Sequence, residues 1–391
     1  MVGGAPVNPT AQAAPGWPQS LYSGAAGIAL LQAVKELVGV GDREAMRACA
    51  ESMFRMPIMA GTKGFGLYEG APAVAYVLTF TDTPSTERLL SALDGHVRRM
   101  TTSRLEAARA RLESGQPAKT AEFDLISGLA GFGVYHLRRG NIGELQGILS
   151  HLVQLCEPIT DGGQTLPGWW SISEAGTAWP ADGHGNFGLA HGITGPLALL
   201  ATSSLRGYTV PGQERAMTRI CQWLDDWRTG DGRSAHWPEW IDLQEQRRGS
   251  TASMGPKRPS WCYGTPGIAR ALQLAGRALG DAALQEYAEQ ALAGCLLDPQ
   301  QLALLTDASL CHGWSGLIQA ARRAAEDEKD GQLSDLLPRL WAGLTTHLEE
   351  HGPPARSTLM EGTAGLDLVR LDDSKCATPE TSWDLCLLLS G

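Results

Sequence analysis

One phrase recurs seven times along this chain: a glycine, two variable residues, a second glycine or other small residue, and then an apolar run. It is read in SLYSGAAGIALL from Ser20, GLYEGAPAVAYVL from Gly66, DLISGLAGFGVYHL from Asp124 and GLAHGITGPLALLA from Gly188. It returns in SWCYGTPGIARAL from Ser260, SLCHGWSGLIQAA from Ser309 and TLMEGTAGLDLV from Thr358. The first glycines are Gly24, Gly70, Gly128, Gly192, Gly264, Gly313 and Gly362, spaced by 46 to 72 residues. Such intervals hold two helices and their connections, so each repeat is expected to be a helix pair. The nearly uncharged run after each second glycine predicts a buried inner helix. Charged amphipathic stretches between the phrases, such as STERLLSALDGHVRRM and GQERAMTRICQWLDDW, predict outer helices with one wet face.

Glycine at a helix start is unfavourable for chain entropy, and seven recurrences need a physical reason. Helix ends crowding around a common centre supply it, because a residue without Cβ permits close backbone approach. A linear solenoid is the ordinary outcome for helix-pair repeats. A closed ring is preferred here, since it explains both the crowding and the apolar inner helices. The expectation is an all-α protein, with residues 1–391 forming a single domain and residues 1–18 a flexible N-terminal segment. The longest intervals carry Trp- and Gly-rich loops, expected to form a functional rim.

In a ring with approximate seven-fold symmetry, the two residues before each first glycine share one rim. Those pairs are Tyr22-Ser23, Tyr68-Glu69, Ile126-Ser127, Ala190-His191, Cys262-Tyr263, Cys311-His312 and Met360-Glu361. Cys262 and Cys311 occupy the same position in consecutive repeats, and His312 follows directly. Two thiolates and an imidazole suit a tetrahedral zinc ion, and three protein ligands leave one position open, the mark of a catalytic site. Zinc already neutralised by two thiolates is a good carrier of a third, which predicts activation of a substrate thiol. His191 shares the rim, and a general acid/base role is preferred for it over a fourth ligand. Tyr263 either packs beside the metal or takes part in the chemistry.

The remaining composition bounds the partners. A net charge of -10 without a long Lys/Arg run argues against gripping nucleic acid or an anionic membrane. The N-terminus lacks a basic-then-apolar signal pattern, and no run of eighteen apolar residues occurs, which points to a cytoplasmic protein with no membrane insertion. Eight cysteines without regular close spacing do not make a disulfide framework. Cys49, Cys156, Cys221, Cys295 and Cys386 read as buried thiols, and Cys376 lies in a polar, turn-like stretch.

The ordered phrases LAHGITG, WCYGTPG and LCHGWSG, set within seven repeats, resemble the lanthionine synthetase C-like cyclases over nearly the whole chain. That resemblance implies an α/α toroid of seven inner and seven outer helices with one zinc ion (Zn2+) at one end. It implies a reaction in which Cys thiols of a dehydrated precursor peptide (leader plus core) add to dehydroalanine or dehydrobutyrine, forming lanthionine and methyllanthionine thioether rings. The zinc ligands then fall on Cys262, Cys311 and His312, and the catalytic His on His191. Tyr263 matches the family's Tyr after the first zinc Cys, Asp124 an Asp of the third phrase, and Arg258 an Arg four residues before Cys262. Asp124 is expected to orient His191 or to cap the next inner helix, and Arg258 to steady an enolate oxygen. Ala73 replaces the second glycine of repeat two, a departure expected to affect packing alone. A dehydratase is a further expected partner, and the toroid is expected to be a monomer. The alternatives are a relative that adds glutathione or another thiol to electrophilic peptides, and a non-catalytic peptide-binding toroid.

Overall fold

The computed structural model describes residues 17–61, 65–81, 83–161, 163–172, 180, 182–253, 255–374 and 381–391. Most of the segment expected to be flexible, residues 1–16, lies outside these, as does Cys376. Each of the seven phrases opens a helix: α1 (Ala25–Leu37), α3 (Gly70–Leu78), α6 (Leu129–Arg139), α8 (Thr194–Leu205), α11 (Thr265–Leu279), α14 (Trp314–Asp327) and α16 (Thr363–Asp373). Every one packs on the next, and α16 packs on α1, so the inner helices close a ring. Outside them lie α2 (Arg43–Met53), α4 (Pro84–Glu113), α7 (Ile142–Leu155), α9 (Gln213–Asp226), α12 (Ala282–Leu297) and α15 (Gln332–His351), each against the inner helix before it. Three short helices, α5 (Thr120–Phe123), α10 (Leu243–Arg248) and α13 (Pro299–Leu302), lie in the connections. The architecture is an α/α toroid.

Close approach of backbone is what the glycines permit. A Cβ placed on Gly316 would overlap the carbonyl oxygen of Leu310, and one on Gly27 would sit 2.7 Å from Leu359 Cβ of the preceding turn in the ring. The turns are bonded edge to edge at the rim. Leu125 N donates to Ala190 O at 3.2 Å, Leu189 N to Cys262 O at 3.0 Å, and Cys262 N to Cys311 O at 3.2 Å. Cys311 N donates to Met360 O at 2.9 Å, Met360 N to Tyr22 O at 3.2 Å, and Leu21 N to Tyr68 O at 2.8 Å, which carries the rim across the α16–α1 closure. Between the second and third repeats, Gly66 packs directly on the backbone of Ser127. Ala73, the exception to the glycine pattern, is fully buried in α3.

After α16, the described residues hold no outer helix; residues 381–391 instead contain a 3-10 turn (Trp383–Leu387) inside the ring. Trp383 and Leu385 to Leu389 are fully buried. Their carbonyls accept from side chains of repeats two and five: Tyr68 Oη to Cys386 O at 2.7 Å, Tyr76 Oη to Trp383 O at 2.9 Å, Trp261 Nε1 to Leu387 O at 2.9 Å and Arg270 Nε to Leu389 O at 2.8 Å. Asp384 accepts from Gln319 and Arg323 of α14. This segment fills the lumen.

The two long loops carry two small antiparallel pairs. One joins β1 (Ile159–Asp161) to β2 (Gln164–Leu166), and the other joins β3 (His184–Asn186) to β4 (Trp240–Asp242), tying the loops together. Their tryptophans Trp169, Trp170 and Trp237 are buried against the helices. These three therefore serve packing, whereas Trp240 of β4 is half-buried.

Because the Gly316 Cβ would meet backbone, Gly316→Ala is expected to destabilise the fold by about 1–3 kcal/mol. Gly143 of α7 faces open space, and Gly143→Ala is expected to be neutral or stabilising by up to about 1 kcal/mol. Denaturant midpoints of the two variants check this contrast, and equal midpoints would remove close approach as the reason for the repeat glycines.

Candidate metal centre

The rim register brings the predicted ligands together. One ligand atom each from Cys262, Cys311 and His312 lies within 4.8 Å of the others, and among the described residues the group holds these three. Bond lengths of about 2.3 Å to sulfur and about 2.0 Å to nitrogen place neighbouring ligands of a tetrahedral zinc roughly 3.5–3.8 Å apart, so the set admits such an ion after a small closure. Both cysteines are buried and His312 is half-buried. The donor chemistry fits zinc, with three protein ligands and one open position.

Electrostatics set this pair of sulfurs apart. The hydrogen bond with Cys311, followed by Ser260 and the charges of His312 and Arg258, pulls the Cys262 thiol well below the ordinary range, while the same contact pushes Cys311 up. Elsewhere burial drives Cys156, Cys221 and Cys386 up to about 12, as inert core thiols. Among the described residues no cysteine is disulfide-bonded.

Sequence reasoning missed Asp307. Its Oδ2 lies 3.3 Å from His312 Nε2, and its Oδ1 accepts from Ser309 N at 2.7 Å. That engagement leaves Nδ1 as the free ring nitrogen of His312. The Asp307 hydrogen bond raises His312 above the usual histidine range. Burial works against Asp307, but His312 and Ser309 bring its carboxyl well below the usual carboxylate range. A carboxylate on the far nitrogen of a ligating imidazole fixes its tautomer and orientation. The one signal in the sequence is an Asp-x-Ser turn just before the cysteine.

His191 and Asp124 meet in the same way. His191 Nδ1 lies 2.6 Å from Asp124 Oδ2, while Asp124 Oδ1 accepts from Ser127 N at 2.8 Å. Asp124 thus both orients His191 and holds the turn ahead of α6. The carboxylate is acceptor-only, so Nδ1 carries a proton and Nε2 is free for chemistry. Burial pulls His191 down, yet the bond and charge of Asp124 outweigh it and leave the imidazole above its ordinary value. The Asp124 side chain is buried and that of His191 is 41% exposed, open to the mouth.

Tyr263 lies beside His191, with ring centroids 6.5 Å apart. Its hydroxyl accepts from Asn186 Nδ2 at 3.1 Å, and Asn186 Oδ1 accepts from Gly188 N at 2.9 Å, an arrangement supplied by the β3 end of the long loop and not foreseen from the sequence. Arg258 is half-buried and its charge reaches both Cys262 and His312. The Cys262–Cys311–His312 group, the His191–Asp124 pair, Tyr263 and Arg258 therefore form one cluster at the helix N-termini.

A family model described as lanthionine synthetase C-like protein matches residues 15–388. The chain belongs to the lanthionine synthetase C-like family. Among curated relatives, the nisin biosynthesis protein NisC of Lactococcus lactis subsp. lactis is 23% identical over 331 residues, covering 83% of this chain and 77% of that protein. Among solved structures, a nisin cyclase matches with a TM-score of 0.79 at 22% identity, covering 97% of this chain and 94% of that one. It shares the toroid fold. No helix among the described residues is long and apolar enough to cross a membrane.

Asp307→Asn is expected to weaken zinc binding about 10- to 100-fold, read by chelator competition on reloaded protein. An unchanged affinity would show that Asp307 does not hold the ligand. Asp124→Asn removes the charge that does most to raise His191, leaving burial opposed by the charge of Cys262. The His191 pKa, followed by NMR titration of the imidazole, is expected to fall; a value equal to wild type would dissolve the pair.

Proposed function

We propose that this chain is a zinc-dependent lanthionine cyclase, adding Cys thiols of a dehydrated precursor peptide to dehydroalanine or dehydrobutyrine. The observation that carries this reading is the meeting of Cys262, Cys311 and His312 at the mouth of a lanthionine synthetase C-like toroid. Relatives named for nisin biosynthesis and nisin cyclase support it.

Cys262, Cys311 and His312 would hold a zinc ion, whose Lewis acidity would favour the thiolate form of a substrate thiol at neutral pH. The thiol sulfur forms its bond to the alkene β-carbon, and the α-carbon takes a proton, so S–H adds across C=C with no change in mass. His191 Nε2 is the acid for that proton, held in place by Asp124, whose bond and charge favour the protonated imidazole. Arg258 is the cation that steadies the enolate oxygen before protonation. Tyr263 lines the wall between His191 and Cys262. The peptide arrives from a dehydratase, since the alkenes must be made from Ser and Thr first.

Purified protein incubated with a dehydrated peptide and then alkylated is expected to give unchanged peptide mass with free thiols lost. A mass increase in the presence of glutathione would mark intermolecular addition, and thiols left free would mark a non-catalytic toroid. His191→Asn is expected to slow ring formation by about 100-fold or more with zinc content retained.

A further inference from the structure

Asn186 ends β3 and lies against the turn that carries His191, only 2% exposed. Three of its polar atoms are engaged there. Its backbone oxygen accepts from Ile193 N at 3.0 Å, its Oδ1 accepts from Gly188 N at 2.9 Å, and its Nδ2 donates to Tyr263 Oη at 3.1 Å. A Cβ on Gly192 would lie 2.4 Å from the first oxygen and 2.6 Å from the second, so the turn closes directly on this residue. From the other side the β3–β4 register sets it opposite Trp240. One side chain thus joins the turn of repeat four, with His191, to the turn of repeat five, with Tyr263.

These bonds settle the direction of the contact with Tyr263. Gly188 is buried and its N–H can only donate, so it takes the amide oxygen; the reversed amide would set two donors against each other. Nδ2 is therefore the end that faces Tyr263, and an amide nitrogen only donates. The phenol oxygen accepts, and its single hydrogen points elsewhere. Among the described residues, Asn186 is the hydrogen-bond partner of this hydroxyl. The half-buried Tyr263 ring is closely seated: a Cβ on Gly188 would lie 2.6 Å from its Cε1, and the His191 ring flanks it toward the mouth.

We propose that Asn186 is a positioning residue that reserves the Tyr263 hydrogen for the bound peptide. Tyr263 donates it to the carbonyl oxygen of the dehydrated residue, where negative charge gathers as the thiol sulfur adds. The inference rests on the cyclase reading above. Only a hydrogen bond is made: the proton stays on the phenol oxygen, and His191 supplies the one that goes to the α-carbon. The substrate oxygen is then served by two donors, the Arg258 guanidinium and the Tyr263 hydroxyl, and the second is aimed by the end of a long loop.

Asn186→Asp keeps the shape of the side chain and the acceptor for Gly188 N, but presents Tyr263 with a carboxylate oxygen that turns the phenol hydrogen inward. With a dehydrated peptide and zinc-loaded, full-length protein, kcat for ring closure is expected to fall about 100-fold in this variant and in Tyr263→Phe, with KM near wild type. In the Tyr263→Phe background, Asn186→Asp is expected to cause no further loss, because phenylalanine has no hydrogen to redirect. A further loss there, as from a disturbed fold or an added charge, overturns the proposal, and so does a wild-type rate in either single variant. Should Asn186→Asp fail to fold, Asn186→Ala is compared in the same two backgrounds. A loss confined to the tyrosine background supports the proposal; no loss, or an equal loss in both, overturns it. Wild-type protein that closes no ring sinks the cyclase reading and this proposal with it, a failure told apart by the wild-type rate alone.

Discussion

Backbone hydrogen bonds from the turn of one repeat to the turn of the next are the interaction on which this molecule depends. With successive turns held this close, a Cβ at the second glycine would overlap the carbonyl oxygen of its own turn and press on a side chain of the neighbouring one. The phrase recurs for that reason. The same bonds place the residues just before each first glycine at equivalent points on one rim, so chemistry assembled there inherits the rigidity of the ring. Cys262 and Cys311, 49 residues apart, are joined directly by such a bond between their own backbones.

On that scaffold one polar device is used twice. In each case an imidazole is held through one nitrogen by an aspartate, and the other oxygen of the aspartate accepts a backbone N–H two or three residues further along its own turn. Asp124 does this for His191 across a repeat boundary, and Asp307 does it for His312 within a single turn. The result differs with the neighbours. A ring nitrogen of His312 lies within 4.8 Å of two sulfurs, while the His191 side chain is exposed at the mouth. Burial, which elsewhere makes thiols inert, is overcome at Cys262 because a second sulfur, a hydroxyl, an imidazole and a guanidinium all act on it.

Much of this was legible in the sequence. Register alone, the count of residues before each first glycine, picked out Cys262, Cys311, His312 and His191, because a ring converts register into position. Asp124 and Arg258 carry no such signal; only resemblance to a known family pointed to them. Asp307 and Asn186 were not legible as site residues, for two physical reasons. Asp307 acts through a turn whose shape depends on Ser309, and Asn186 arrives on a loop paired by β3 and β4. Amphipathic patterning anticipated the outer helices of the first six repeats. It said nothing about residues 381–391, whose apolar run reads equally well as the buried face of a helix and as a segment enclosed on all sides.

That enclosed segment has a consequence for how the protein comes into being. Tyr68, Tyr76 and Trp261 belong to repeats made early and midway in synthesis, yet their polar side-chain atoms find partners only on residues 383–387, and the Nε of Arg270 finds its acceptor on Leu389. A ribosome must release almost the whole chain before those groups are satisfied. An open array of helix pairs can grow or shed a unit at its end; here the earliest repeats wait for the latest residues, and the ring forms as a whole or not at all.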